Sequence, residues 1–456
     1  MYKTVLNIKR LFLIVGDVLA LQAALVAMLA LRYGEVTPVT WQQHQVPFLY
    51  VTAFWVIGLF VTGLYDLTKA RNGLAFFRLF LEGMFVNLLL AFAFFYLVPV
   101  FGIAPRTNLL LYFAIALLFM YAWRLLFNRY VARGLFRNRL LYLGPAEDAL
   151  KICELLKGYP LGFQLCAVIH TTPRSTHETH GLRWEERIAA LEDVMAQERV
   201  NAIVLGHSLD ALPELRDALY RTLFTQTAII DRKELEETLT GRVPVASVTK
   251  AWFLEHLRES DKAWYEGVKR ALDVLIAIPV GLVTITLSPF IALAIKATSR
   301  GPVFFTQERV GRHGKRFRIV KFRTMRQDAE ANGAQFAVRQ DPRTTPVGRF
   351  LRATRLDELP QVWNVLKGDM SFVGPRPERP EFVEQLTERM PYYALRHLTR
   401  PGLTGWAQVQ YRYASSLDDN LVKLQYDLFY VKHRSLVLDA AILLKTINTV
   451  LRQQGT

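Results

Sequence analysis

Apolar residues run almost unbroken through Leu11–Leu31, Val46–Tyr65, Gly83–Phe101 and Leu109–Phe127. Each run approaches the ~20 residues needed to cross a bilayer core. Helices buried in a water-soluble bundle keep a polar stripe. Here the polar exceptions are Asp17 and Asn87, which read as helix-packing groups because nothing nearby completes a site. From 139 to 250 the pattern changes. Leu140–Leu143, Cys166–His170 and Ala202–Gly206 read as short buried strands. Helical patterns run from Gly144 through Lys157 and over Trp184–Glu198 and Leu212–Leu223. Strands alternating with helices predict a parallel sheet. A fifth long apolar run, Ala271–Ala297, is interrupted by Pro279 and by Ser288-Pro289. The Ser288 hydroxyl is placed to satisfy a backbone carbonyl that proline leaves free. The basic stretch after it reads as strand and turn, with Phe317, Ile319 and Phe322 turned inward. Phe382–Leu398 is amphipathic, with Met390-Pro391-Tyr392-Tyr393 predicted as a bend at a membrane surface, and Tyr426–Leu451 is predicted helical.

Lys and Arg orient the apolar runs, because cytoplasmic loops carry the excess. Lys3, Lys9 and Arg10 precede the first run and Arg32 alone follows it. Lys69, Arg71 and Arg78 follow the second, Arg106 the third, and Arg124, Arg129, Arg133, Arg137 and Arg139 the fourth. The alternation puts both ends of the four-helix segment in the cytoplasm. The fifth run is basic on both sides: Lys269 and Arg270 precede it, and eight Lys or Arg lie between Arg309 and Arg326. Both flanks therefore belong on one face, and a segment that enters and leaves there, bent at a proline, reconciles length with charge. In the connector 231–268, Trp252, Phe253, Trp264 and Tyr265 sit among charges, a composition that suits either the headgroup region or an ordinary amphipathic linker.

A formal net charge of +16 points to anionic partners. Nucleic acid is disfavoured, because much of the charge flanks apolar spans. Cys153 and Cys166 have neither metal-type spacing nor a disulfide framework and read as reduced small hydrophobes. The first apolar run is long and lacks a small-x-small exit, so no cleavable signal is expected. A dinucleotide site in 139–250 needs G-x-G-x-x-G after its first strand; this chain has Gly144 and then Pro145.

The chemistry concentrates in Thr354–Pro377, TRLDELPQVWNVLKGDMSFVGPRP. Asp357 and Glu358 are adjacent, with Arg349, Arg352 and Arg355 before them and Lys367 and Arg376 after. Two carboxylates among cations suit Mg²⁺ and phosphate, and Pro375 and Pro377 restrict the backbone around Arg376. A helix start with acidic residues near its positive end gives the same pattern without chemistry.

Leu356-Asp357-Glu358-Leu359-Pro360-Gln361, Trp363–Ser371, Gly374-Pro375-Arg376-Pro377, Pro401–Val409 and Tyr426-Asp427 together resemble the signature of the bacterial polyprenyl-phosphate hexose-1-phosphate transferases, and the resemblance covers the chain from about Lys269 onward. It implies a membrane protein with an α-helical transmembrane bundle (1–130), a Rossmann-like α/β domain (139–250), an interfacial linker (251–268) and an α/β catalytic domain (269–456) with a re-entrant membrane helix (271–297). Lys269, Arg270, Asp273, Ser288 and Pro289 match the motif of that helix. The resemblance implies transfer of hexose-1-phosphate from a UDP-sugar to undecaprenyl phosphate, with release of UMP, at the cytoplasmic face of the bacterial inner membrane. This is the opening step of an exopolysaccharide or related glycan.

In that reading Asp357 is the nucleophile and Glu358 holds Mg²⁺. Lys321, Arg323, Arg352, Arg376 and Gln408 bind substrate. The partners are the UDP-sugar, undecaprenyl phosphate and inner-membrane lipid, without nucleic acid, and a homo-oligomer is compatible with the sequence. At Gln410-Tyr411-Arg412-Tyr413 the chain departs from the Asn-Gly-Arg of many relatives. Two other readings are a non-catalytic scaffold or regulator of polysaccharide export and a membrane sensor binding a nucleotide in 139–250.

Overall fold

The computed structural model describes residues 2–65, 72–98, 106–131, 138–158, 163–170, 182–206, 213–222, 227–257, 262–327, 341–411 and 416–451. Lys69, Arg71, Arg133 and Arg137 of the charge alternation, the end of the third apolar run, Leu223, and Arg412-Tyr413 lie outside the described residues. The chain forms two compact units, Met1–Leu239 and Thr240–Thr456.

The first unit opens with α1 (Tyr2–Tyr33), α2 (Pro38–Val61), α3 (Leu74–Leu97) and α4 (Arg106–Leu126), the last continued by a π turn over Phe127–Val131. All four are long and apolar enough to cross a membrane. α2 starts eight residues before its apolar run, and its N-terminus shows why. Thr37 accepts from the Thr40 N–H, Thr40 returns a bond to the Thr37 backbone, and Pro38 takes the first helical position. That reciprocal cap starts a helix ahead of the apolar run.

The two polar exceptions have partners inside the bundle. Arg124 of α4 donates from Nη2 to Asp17 Oδ2 at 2.5 Å and from Nε to Oδ1 at 3.2 Å, and both residues are buried. A third donor, Nη1, reaches the Leu64 carbonyl at 2.6 Å. Asn87 donates to the Trp55 carbonyl at 3.0 Å, which stitches α3 to α2. In hydrocarbon such groups find partners on facing helices, and the packing role expected for both holds.

The same unit continues as β1 (Asn138–Gly144), α5 (Ala146–Gly158), β2 (Phe163–His170), β3 (Arg183–Glu185), α6 (Leu191–Gln197), β4 (Ala202–Leu205), α7 (Pro213–Thr222), β5 (Ala228–Asp231) and α8 (Arg232–Thr240). Five parallel strands lie in the order β3-β2-β1-β4-β5. The expected parallel sheet is there, with two strands beyond those predicted. Trp184, expected to open a helix, lies on β3, paired with Val168, and the helix starts at Leu191. Three residues of strand are too few for a period to show.

The second unit contains α9 (Lys250–His256), α10 (Ala263–Thr298), β6 (Phe304–Val310), β7 (Arg316–Phe322), α11 (Pro346–Ala353), α12 (Val362–Lys367), β8 (Ser371–Val373), α13 (Pro380–Arg389), β9 (Gly402–Thr404), α14 (Trp406–Gln410), α15 (Leu417–His433) and α16 (Leu436–Leu451). The segment after Thr240 packs here rather than with the sheet. Val243, Val245, Val248 and Phe253 share a core with Leu386, Met390, Tyr393 and Leu424. The two compact units divide at Leu239 and Thr240, inside the 231–268 connector. Phe253 faces this core, while Trp264 is 74% exposed, so the connector's aromatics divide between interior and surface. The bend at Met390–Tyr393 is there, with Tyr392 at φ 67°, and Met390 and Tyr393 are buried in this core.

α10 has 36 residues, about 54 Å at 1.5 Å per residue, and is the fifth helix long and apolar enough to cross a membrane. The expected break does not end it: the helix runs on through Pro279 and Pro289. Pro289 deprives only the Ile285 carbonyl of its donor. The Ser288 hydroxyl bonds the Thr284 carbonyl at 2.6 Å, one residue from the one set free.

Candidate active site

The acidic pair sits on a tight turn built by its neighbours. Thr345 caps α11 by accepting from the Gly348 N–H at 3.0 Å, and Pro346 takes the first helical position. Gly348 is required there: a Cβ would lie 2.0 Å from the Thr324 carbonyl oxygen. Arg355, in the left-handed region at φ 60°, turns the chain into a 3₁₀ helix over Leu356–Gln361, which feeds directly into α12. Asp357 and Glu358 lie in the first turn of that 3₁₀ helix, 6% and 8% exposed.

Lys321 comes from β7, and Arg376 from the loop after β8. Lys321 Nζ donates to Glu358 Oε1 at 2.8 Å and Arg376 Nη2 donates to the same oxygen at 2.7 Å. Arg355 Nη1 stands 3.9 Å from it. Arg352, in the last turn of α11, donates to the hydroxyls of Thr324 and Thr344 at 2.9 and 3.3 Å, close enough for its charge to act on Asp357. Among the described residues, Asp357 Oδ1 is buried without a hydrogen-bond partner.

Four cations thus bear on two carboxylates. Burial and then Glu358 push the Asp357 carboxyl above the ordinary aspartate range, against the pull of Lys321, Arg355 and Arg352. Burial also acts to raise Glu358, but Arg376, Lys321 and Arg355 outweigh it and hold its carboxyl well below the ordinary range. Lys321 is lowered, by burial first, with Arg376 adding to the effect against the opposing Glu358 and Asp357. The Glu358 charge raises Arg376 above its usual range. Two adjacent carboxyls thereby differ: Glu358 stays ionised and Asp357 takes a proton more readily.

The frame around Arg376 is rigid. β8 and β9 pair in parallel, and the Gly374 N–H and Gly402 N–H bond the carbonyls of Thr404 and Pro375 at 2.9 and 3.0 Å. Arg396 holds the Arg376 carbonyl at 2.8 Å and is itself fixed by the buried carboxylate of Asp427 at 2.7 Å. Glu378, two residues on, pairs with Lys423 and with Arg309 at 3.7 Å. Burial acts to raise Glu378, but Lys423, Arg396 and Arg309 prevail and bring it down to about 2. Arg396 and Glu378 were not picked out from the sequence. Arg396 lies between the matching stretches, in a segment with an amphipathic pattern of its own.

The opening of α10 is fastened to this frame. Lys269 Nζ bonds Asp439 Oδ2 of α16 at 2.7 Å. Arg270 donates to the Val365 and Leu366 carbonyls at 2.5 and 2.7 Å, capping the negative end of α12. Asp273 accepts from Ser371 Oγ at 3.0 Å and the Phe372 N–H at 3.1 Å. Arg270 and Asp273 therefore brace the helix that follows the acidic pair and the strand that leads to Arg376, while Lys269 ties α10 to α16.

Two expected substrate contacts point elsewhere. Arg323 donates to the Arg300 carbonyl at 2.6 Å and to the Ser299 carbonyl and hydroxyl, closing the end of α10. Gln408 donates to the Leu403 carbonyl at 3.2 Å, and its Oε1 is buried without a partner among the described residues. Among the described residues no three His, Cys, Asp or Glu side chains form a metal-holding group. Asp357 and Glu358 alone do fit Mg²⁺, which is commonly held by one or two carboxylates and completed by substrate phosphates and water.

Comparison with known proteins gives the same partition. A bacterial sugar transferase family model matches residues 264–453, and a CoA-binding domain model matches 61–222. The described residues of the sheet do not fit a CoA diphosphate. Ligands of such sheets bind where the strand order reverses, here between β1 and β4. There the buried Tyr142 hydroxyl fills the space: a Cβ on Gly206 would lie 2.0 Å from it, and one on Gly144 2.7 Å. The first turn of α5 carries Glu147 and Asp148, which oppose a phosphate.

The chain is 43% identical over 270 residues to the UDP-N-acetylgalactosamine-undecaprenyl-phosphate N-acetylgalactosaminephosphotransferase of Aeromonas hydrophila, covering 56% of this chain and 60% of that protein. It is 41% identical over 190 residues to the undecaprenyl-phosphate glucose phosphotransferase of Komagataeibacter xylinus, covering 40% and 36%. Thus it spans less than two thirds of the length of either. To the UDP-glucose:undecaprenyl-phosphate glucose-1-phosphate transferase of Caulobacter vibrioides it is 43% identical over 188 residues, 40% of this chain and 69% of that protein. The matched region carries the acidic pair, Lys321, Arg376 and the start of α10, and the chain belongs to the family of bacterial sugar transferases that act on polyprenyl phosphates.

Proposed function

We propose that this protein transfers hexose-1-phosphate from a UDP-sugar to undecaprenyl phosphate and releases UMP. The observation that carries the reading is the charge surplus at the acidic pair: four cations face two carboxylates, and one carboxylate oxygen is left unpartnered in a buried position. Such a site attracts a diphosphate and keeps one ionisable oxygen free to react.

Asp357, as the carboxylate, attacks the phosphorus that bears the sugar. A bond forms between its oxygen and phosphorus, the bond from phosphorus to the UMP oxygen breaks, and UMP leaves with the electron pair. A phosphate oxygen of undecaprenyl phosphate then attacks the same phosphorus and frees Asp357. Arg376 and Lys321, both oriented by Glu358, stabilise charge on the transferring group. Mg²⁺, when bound, neutralises the diphosphate. Glu358 would hold it, which leaves the open oxygen of Asp357 to react.

The chemistry belongs at the cytoplasmic face of the inner membrane, with α10 re-entrant. Lys269 and Arg270 before its apolar part and the eight basic residues of 309–326 after it support that placement. The donor is then a soluble nucleotide sugar and the acceptor a lipid whose phosphate lies at headgroup depth. Relatives act on N-acetylgalactosamine or glucose donors, so the test is UMP release from UDP-N-acetylgalactosamine and UDP-glucose with undecaprenyl phosphate and Mg²⁺. Release that requires Asp357 supports the reading. No release from either donor, or release untouched by Asp357→Asn, refutes it.

A further inference from the structure

We infer that Asn364 is a positioning residue that sets Lys321 against Glu358, an inference that rests on the transferase reading above. β7 pairs with β6 along one edge only, with Arg318 opposite Glu308 and Val320 opposite Thr306. On its other edge the Arg318 carbonyl and the Val320 N–H meet no strand. They meet the side-chain amide of Asn364: Nδ2 donates to the Arg318 carbonyl at 2.8 Å, and the Val320 N–H donates to Oδ1 at 3.2 Å. One side chain stands in for a third strand. It satisfies both groups that a strand edge leaves open.

The attachment matters because of what lies beside it. Lys321 follows Val320 directly and reaches Glu358. Asn364 lies on α12, which continues without interruption from the 3₁₀ helix holding Asp357 and Glu358. The strand and the acidic turn are therefore tied twice, by Lys321 to Glu358 and by Asn364 to the strand edge. Asn364 is itself fixed. It is 5% exposed, and its own carbonyl accepts from the N–H groups of Gly368, Asp369 and Met370 at 3.0–3.2 Å as the chain turns into β8.

An amide alone matches this edge. Aspartate keeps the acceptor but sets an anion against the Arg318 carbonyl. Leucine keeps the volume and leaves a buried donor and acceptor unpaired. Released, β7 slides along α12 and Lys321 leaves Glu358.

The experiment is a double-mutant cycle on the full chain in membranes, reading UMP release and the KM for the UDP-sugar. Asn364→Leu and Asn364→Asp are each made alone and together with Lys321→Met. Loss of such outer contacts costs about 10- to 100-fold, and Asn364→Leu is expected to lower kcat by that factor with KM for the UDP-sugar changed less than about threefold. In the Lys321→Met background the same change is expected to cost less than about threefold more, because the residue it positions is gone. If Asn364→Leu does not accumulate as folded protein, Asn364→Asp carries the same cycle. Equal losses in both backgrounds would show that Asn364 supports the fold and not Lys321, and full activity of Asn364→Leu would remove the role altogether. A wild-type protein that releases no UMP would overturn the transferase reading, a result distinct from either.

Discussion

Two buried acidic sites in this chain answer the same problem differently. In the helical bundle, Asp17 is matched by one arginine: both of its oxygens are bonded to Arg124, and the remaining Arg124 donor finds a backbone carbonyl. Both carboxylate oxygens are bonded and no charge is in excess. In the second unit, Asp357 and Glu358 face Lys321, Arg352, Arg355 and Arg376, yet Asp357 Oδ1 has no hydrogen-bond partner among the described residues. A buried charge held by one satisfied partner is a fastening. A buried cluster with surplus charge and an open oxygen is incomplete without a ligand. Burial alone does not separate the two; surplus charge beside an open oxygen does.

The comparison breaks most sharply at Asp357. Asp357→Asn is expected to reduce UMP release by more than about 10⁴-fold, as loss of a nucleophile does, while the melting temperature stays near that of the wild type. An active Asp357→Asn protein would place the site with the fastenings.

The bundle gives the reverse result. Asp17→Asn leaves Arg124 buried against a neutral partner and is expected to destabilise the bundle by about 3–5 kcal/mol. Replacing both, Asp17→Leu with Arg124→Met, should restore most of that, since apolar groups of similar volume can take the place of a closed pair. UMP release per folded molecule should not change in either variant. Activity lost while the bundle stays folded would show that the pair does more than fasten.

How far the sequence foresaw these sites follows from the same distinction. The apolar runs are long, so all five long helices could be read, and the acidic pair stood out by its neighbours. The partner of Asp17 could not be read, because Arg124 lies 107 residues away and looks like one more orienting cation at the end of a helix. Arg323 is a related case. It stands in the same basic run as Lys321, but two residues along it closes the end of α10, and composition does not say which cation faces the dyad. Arg396 and Asn364 act through backbone carbonyls and strand edges, which leave no mark in residue type. β3, at three residues, is too short to show a period.

Arg376→Lys sharpens the comparison at the next level. Lysine keeps the charge but loses the planar fork, and a fall of about 10²-fold in kcat is expected, with little change in melting temperature. An unchanged kcat would mean that Arg376 only balances Glu358.

The smallest expected effect is in the pH profile. Asp357 must be ionised to attack, and its carboxyl is raised, so the acid limb of UMP release should lie above the ordinary aspartate range. Lys321 must be charged, and it is lowered, so the alkaline limb should lie below the ordinary lysine range. Glu358→Gln removes a charge that raises both groups, and both limbs should move to lower pH. Limbs at ordinary values, or unmoved by Glu358→Gln, would contradict the assigned couplings.

The central claim is that the open oxygen of Asp357 becomes bonded to phosphorus. The direct measurement is to incubate the full-length protein with a UDP-sugar labelled in the sugar, without lipid acceptor, quench, and locate the label. The account predicts UMP release of about one equivalent, label retained on the protein in a peptide containing Asp357, and its discharge when undecaprenyl phosphate is added. UMP that appears only with acceptor present, and no label on the quenched protein, would show direct transfer from donor to lipid and contradict the account.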